Sequence, residues 1–154
     1  MKRFSILSLF VCLFFALQAA SYSGTLPVMH IQTENNAPIV SKDDYLNATY
    51  YVDALGISGY ENIGSAAAPL TMEIKGRGNY TWTGFNKKPY RIKLTEKQSL
   101  LGMKKSKHFA LLAHADDALN KKGFMRNQVG FELSRLIGIS WTPETKPVER
   151  SEER

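Results

Sequence analysis

Three clusters in this chain have residue types and spacing suited to holding phosphate. The first is Lys75-Gly76-Arg77-Gly78-Asn79-Tyr80-Thr81-Trp82. Two glycines two apart, just after a strand, let the backbone come close to a ligand. Their N–H groups can cradle phosphate oxygens, and Arg77 adds a planar fork of donors. The run is neither a complete GxGxxG nor a P-loop. Taken alone, a glycine-bearing hairpin accounts for it better.

The second cluster is Lys87-Lys88-Pro89-Tyr90-Arg91-Ile92-Lys93-Leu94. It sets Lys93 on a strand fifteen residues beyond Gly78. A strand-borne lysine after a glycine-rich turn is how kinases hold nucleotide phosphates. Lys75 is a rival for that role, and a solvent-facing lysine is the plainer reading. The third cluster is Met125-Arg126-Asn127 running into Phe131-Glu132-Leu133. At helical spacing, Arg126 and Glu132 fall roughly 50° and 70° to either side of an apolar stripe. A partly buried carboxylate needs a partner, which predicts a Lys93–Glu132 pair. A helix flank neutralised by a neighbouring basic residue is the alternative.

The remaining candidates are weaker. His30, His108 and His114 lack metal-ligand spacing, and Asp116-Asp117 read as a solvated loop. Asn47-Ala48-Thr49 and Asn79-Tyr80-Thr81 match the glycosylation triplet, which is short enough to arise by chance. No Ser-His-Asp or Cys-His arrangement stands out, so no residue is assigned a catalytic or metal-binding role.

Strands and one helix must position these residues. Leu26–Gln32 reads as a first strand, and Asn35-Asn36-Ala37-Pro38 as a turn. In Tyr45–Leu55, Ala48, Tyr50 and Val52 share a face. Gly56–Pro69 is a loop. Leu70, Met72 and Ile74 face inward while Thr71, Glu73 and Lys75 face the other way. Tyr90, Ile92 and Leu94 repeat that pattern against Arg91 and Lys93. Ser99–Gly102 reads as a short turn of helix, Phe109–Ala113 as a buried strand and Ala115–Gly123 as a polar loop. Phe124–Ile137 has the helical period, with Met125, Val129, Leu133 and Leu136 on one stripe, and Gly138 suits the left-handed residue past its end. The final Glu149-Arg150-Ser151-Glu152-Glu153-Arg154 is polar throughout and reads as frayed.

The first twenty residues read as a secretory leader. Lys2 and Arg3 precede an apolar run from Ile6 to Leu17, and Ala19-Ala20-Ser21 offers small residues for cleavage. The run is shorter than the ~20 residues of a membrane-spanning helix, and an uncleaved anchor is the alternative. No later segment is apolar enough to span, so the reading is a secreted or exported protein with no membrane role after cleavage. Net charge is +6, two less once Lys2 and Arg3 are removed. No long basic tract marks a nucleic-acid partner. The single cysteine, Cys12, lies in the leader, so thiol catalysis, disulfides and cysteine-bound zinc are excluded from the mature domain. Nothing in the sequence sets the oligomeric state.

Together and in this order, the clusters resemble the N-terminal part of the spore coat protein H (CotH) kinase family. Leu26-Pro27-Val28, Leu100-Leu101-Gly102-Met103, Glu132-Leu133-Ser134-Arg135 and Trp141-Thr142-Pro143 extend the resemblance over residues 21–148. It implies an α+β fold: a kinase-like N-terminal lobe, mainly an antiparallel β-sheet with a C-terminal helix packed on it. It implies ATP and Mg2+ or another divalent metal as cofactors, and phosphoryl transfer to serine of a protein substrate. Lys75, Gly76, Arg77, Gly78, Lys93, Arg126 and Glu132 would then belong to the nucleotide side of the site. The family's catalytic aspartate and metal carboxylates belong to a second lobe. Here the strand-like pattern shifts at residue 149 to a polar tail resembling a frameshift, a premature stop or a gene-model error. The expectation is a polypeptide inactive by itself. Two alternatives stay open. One is a secreted β-rich module binding glycan or protein surfaces through Tyr80, Trp82 and Phe85; the other is a fragment with no function.

Overall fold

The computed structural model describes residues 26–113 and 126–152. Six strands form one sheet in the order β5-β4-β3-β2-β1-β6. They are β1 (Val28–Thr33), β2 (Leu46–Asp53), β3 (Leu70–Gly76), β4 (Tyr90–Gln98), β5 (Ser106–Leu111) and β6 (Glu149–Glu152). Neighbours from β1 to β5 pair antiparallel, while β6 runs parallel to β1, with Val28 opposite Glu149. Two short helices accompany them, α1 (Tyr80–Gly84) and α2 (Arg126–Leu136). The fold is thus a curled, mixed sheet, mostly antiparallel.

Period-two alternation builds the core. Ala48, Tyr50 and Val52 of β2, Met72 and Ile74 of β3, and Tyr90, Ile92 and Leu94 of β4 are all buried, as the alternation predicts. Met29 and Ile31 of β1 and Leu100-Leu101 complete the cluster. Side chains from loops and from α1 cover this apolar face, among them Ile39, Tyr60, Ile63, Trp82, Met103 and Val148. The Tyr50 hydroxyl reaches across the face to donate to Gln98 Oε1 at 2.5 Å.

The curl is visible in one long-range contact. Arg150 of β6 lies 4.5 Å over the ring of Tyr90 on β4, although β3, β2 and β1 stand between them in the sheet. Its Nη1 also donates to the Lys88 carbonyl at 3.2 Å. Residues 149–152 are therefore a strand, not a frayed tail. Their charged side chains are compatible with a sheet edge, where one side stays in solvent.

Four other expectations change. Ser99–Gly102 is no helical turn: Leu101 (φ 54°) and Gly102 (φ 77°) are left-handed, and the bend tucks Leu100 and Leu101 into the core. β5 is half-buried rather than buried, because it is an edge strand. The connection after β3 contains α1, whose single turn is too short to show a period. Finally, α2 forms where the period places it, with Gly138 left-handed at its end, but its stripe is not buried. Val129, Leu133, Leu136 and Ile137 are all exposed. The apolar face of the sheet is covered by side chains from loops and α1. Instead α2 ties to the segment that follows it, through Arg135 Nη2 donating to the Pro143 carbonyl at 2.8 Å. Asp116-Asp117, His114 and Met125 lie outside the described residues.

Candidate functional site

The alternation that buries one face of the sheet sets polar side chains on the other. A groove of about 750 Å³ lies there, reaching from β1 across to the start of β5. That is within the ~300–1,000 Å³ usual for small-molecule sites. One end is shaped by the turn at Glu34–Asn36, where Asn35 and Asn36 both take left-handed φ near 55°. Asparagine tolerates that region better than most residues. Asn47 Nδ2 fixes the turn by donating to Glu34 Oε2 at 3.0 Å. The floor is a row of hydroxyls. Thr71 and Thr95 stand 2.8 Å apart, Oγ1 to Oγ1, and Thr49 pairs with Thr71 in the ladder. At the β5 side, Lys107 Nζ donates to the Thr95 carbonyl at 2.7 Å.

Lys93 borders this groove, and its partner is Glu73. The two face each other directly in the β3–β4 ladder, and Lys93 Nζ sits 2.6 Å from Glu73 Oε2. The hydrogen bond and charge of Glu73 push the lysine pKa above its ordinary value. The expected Lys93–Glu132 pair does not form. Glu132 pairs instead with Arg135 one turn along α2, on a helix that does not cover the sheet. The Arg126 residue opens α2, and its side chain lies outside the described ones.

Lys75 lies on the same face, one rung beyond Glu73. Its ammonium is 4.5 Å from the Tyr45 ring centroid and donates to the Asp43 carbonyl at 3.2 Å. Lys93 reaches the same ring at 5.7 Å, so one aromatic ring steadies both cations. Directly opposite Lys75 is Arg91, an exposed residue not among the expected site residues. The strand alternation that singled out Lys93 places Arg91 beside it.

The glycine turn follows immediately. The Gly76 N–H is donated to the Ser41 carbonyl at 2.8 Å, and that of Arg77 to the Pro89 carbonyl at 3.1 Å. Those two groups are therefore not the open phosphate cradle expected of the motif. Gly76 serves packing: a Cβ there would lie 2.6 Å from Trp82 Cη2. Gly78, at φ 90°, lets the chain turn into α1. The Arg77 side chain stays exposed. Trp82 is held in place from several sides, with its ring edge-on to Tyr90 at 6.1 Å and Lys88 Nζ donating to its carbonyl at 2.5 Å. It is a packing residue rather than a platform for sugars. Of the three loop aromatics only Tyr80 is largely exposed, with Phe85 edge-on to it at 5.3 Å.

The structure thus brings Lys93, Lys75 and the Gly76–Gly78 turn to one end of one face, and leaves Glu132 apart. No group of three or more His, Cys, Asp or Glu side chains among the described residues is placed to hold a metal ion. No helix among them is long and apolar enough to cross a membrane.

Comparison with known proteins gives one match. The family model described as CotH kinase protein matches residues 74–151, half of the chain. The match begins at the end of β3 and runs through all three clusters, the third of which includes α2, and through most of β6. No curated protein and no solved structure matches the chain.

Proposed function

Because this chain belongs to the CotH kinase protein family, we propose that its sheet is the nucleotide-holding lobe of a secreted, ATP-dependent protein kinase. The observation that carries this reading is Lys93. It is a strand-borne lysine fixed by a carboxylate at 2.6 Å, at the border of a groove of nucleotide size, inside the matched segment. In kinases such a lysine holds phosphates while a glutamate holds the lysine. Here the glutamate would be Glu73, on the adjacent strand.

The residues fit the triphosphate better than they fit its metal. Lys93 and Lys75 offer ammonium donors one rung apart, Arg77 adds a guanidinium, and the hydroxyl row of Thr49, Thr71 and Thr95 offers donors and acceptors to a ribose. When bound, ATP would supply the phosphoryl group for transfer to a serine hydroxyl. These side chains bind and orient; none is placed to take a proton from that hydroxyl. The described residues contain no carboxylate cluster for Mg2+, and no step through a metal follows from them. Our reading is therefore nucleotide binding by this sheet, with no phosphoryl transfer by these residues alone.

Titration of the purified protein with ATP, followed by calorimetry, tests the reading. We expect a dissociation constant in the ~1 µM–1 mM range typical of enzyme substrates, weakened at least ~10-fold in Lys93→Met, as for loss of a hydrogen bond to a charged group. A folded wild-type protein that does not bind ATP would sink the proposal. ATP-dependent serine phosphorylation by the same protein would overturn its second half.

A further inference from the structure

Lys75 and Arg91 stand directly opposite one another in the β3–β4 ladder, on the polar face. Like charges in that relation destabilise a strand pair. Lys75 is offset by the Tyr45 ring and the Asp43 carbonyl. Arg91 is exposed and has no ion-pair partner among the described residues. Arg77, also exposed, follows two residues after Lys75. The only carboxylate facing these groups within the ladder is Glu73, already bonded to Lys93. An uncompensated guanidinium beside a tethered ammonium is poised for an anion, and the planar fork of arginine suits phosphate.

The spacing narrows the choice of anion. Arg91 and Lys93 are two residues apart on β4 and so share a face. Two residues of strand span about 6.6 Å, comparable to the reach of a triphosphate from its first phosphorus to its last. Lys93 borders the groove, whereas the Lys75–Arg91 rung lies beyond it, toward the glycine turn. A nucleotide with its sugar in the groove and its first phosphate at Lys93 brings only its later phosphates to that rung.

We propose that Arg91, backed by Lys75, binds the terminal phosphates and makes this site select nucleoside triphosphates over monophosphates. This rests on reading the groove as a nucleotide site. Arg91 would be a specificity residue that leaves the Lys93 contact untouched.

Affinities for ATP, ADP and AMP, measured on wild type, Arg91→Gln and Arg91→Lys, test it. In Arg91→Gln, ATP affinity should fall ~10-fold, the loss expected for a charge-assisted contact, while AMP affinity should stay within ~2-fold. Arg91→Lys should recover part of the loss, since it keeps the charge and loses the fork. Thermal unfolding serves as the folding control, and removing one of two facing cations should leave the midpoint unchanged or raise it. An unchanged ATP-to-AMP ratio in folded Arg91→Gln overturns the proposal. If wild type binds no nucleotide, the groove reading fails separately, and inorganic tripolyphosphate then probes the rung alone. Binding lost in Arg91→Gln would support a triphosphate site; binding absent or unaltered would overturn it.

Discussion

Replacing Gly76 with alanine would set a Cβ 2.6, 2.7 and 2.8 Å from Cη2, Cζ3 and Cζ2 of Trp82. Carbon atoms in contact settle at about 3.5–4.0 Å, so the indole must move by about 1 Å. It has little freedom to do so, with Tyr90 edge-on to it and Lys88 Nζ 5.8 Å from its ring centroid. Forcing an extra carbon into a packed site costs about 1–3 kcal/mol. Gly76 does not have a positive φ, so alanine adds no backbone strain and lowers unfolded-chain entropy, offsetting about 0.4–1 kcal/mol. The net loss is about 1–2 kcal/mol, which at roughly 4 °C per kcal/mol lowers Tm by roughly 4–8 °C. Thermal unfolding followed by circular dichroism measures it. The decisive arm repeats the substitution in a Trp82→Leu background. There the smaller side chain leaves room, so the second substitution should cost almost nothing, giving a coupling of about 1 kcal/mol or more. An equal cost in both backgrounds, or none in either, would refute the claim that Gly76 is small because of Trp82.

Four further outcomes follow from the same geometry. Lys93→Met and Glu73→Gln should both fold with Tm close to wild type, because both side chains are about two-fifths exposed (41% and 39%) and such pairs contribute little to stability; a large fall in Tm would contradict this. The raised pKa of Lys93 keeps it charged across neutral pH. The ion pair's contribution to stability is thus fully present below the ordinary lysine value of 10.5 and lost only as pH rises through the higher folded value, so any difference in Tm between wild type and Glu73→Gln should vanish across that range. Burial pushes the Tyr50 hydroxyl from 10.0 up to about 12, so the unfolded chain releases this proton first and stability falls as pH climbs between those values. Tyr50→Phe should flatten that part of the pH–stability curve, at a cost of about 1 kcal/mol for the lost bond to Gln98. Ending the chain after Val148 removes β6 and the Arg150 contact to Tyr90. A lower Tm with concentration-dependent association through the bared β1 edge is expected, and a monomer of unchanged Tm would count against it.

What could be read in the sequence divides along physical lines. Strands with one wet and one dry face announce themselves, and the inward residues of β2, β3 and β4 match the alternation. The same alternation puts Glu73 and Lys93 on one kind of face, but alternation does not set the strand register that brings them opposite each other. Arg91 shares the face of Lys93, but nothing in the alternation separates it from any other solvent-facing arginine. β6 carries no alternation at all: Glu149-Arg150-Ser151-Glu152 is polar throughout, and its strand character comes from backbone pairing with β1. For α2 the period locates the helix but says nothing of what covers its stripe. The glycine motif looked like a ligand turn, and only the placement of Trp82 reveals that Gly76 is needed for packing.

The pairing of β6 with β1 also bears on how this chain reaches its fold. Among the described residues the last strand in sequence docks beside the first, so the strand contact with the longest loop to close completes that edge of the sheet. Contacts of this kind slow folding, because chain entropy is lost before the pairing returns any stability. Until Glu149–Glu152 have been synthesised, β1 presents an open row of backbone donors and acceptors. A nascent chain would therefore expose a sticky edge until that segment emerges, and slowing translation just before residue 149 should lower the soluble yield more than slowing it elsewhere.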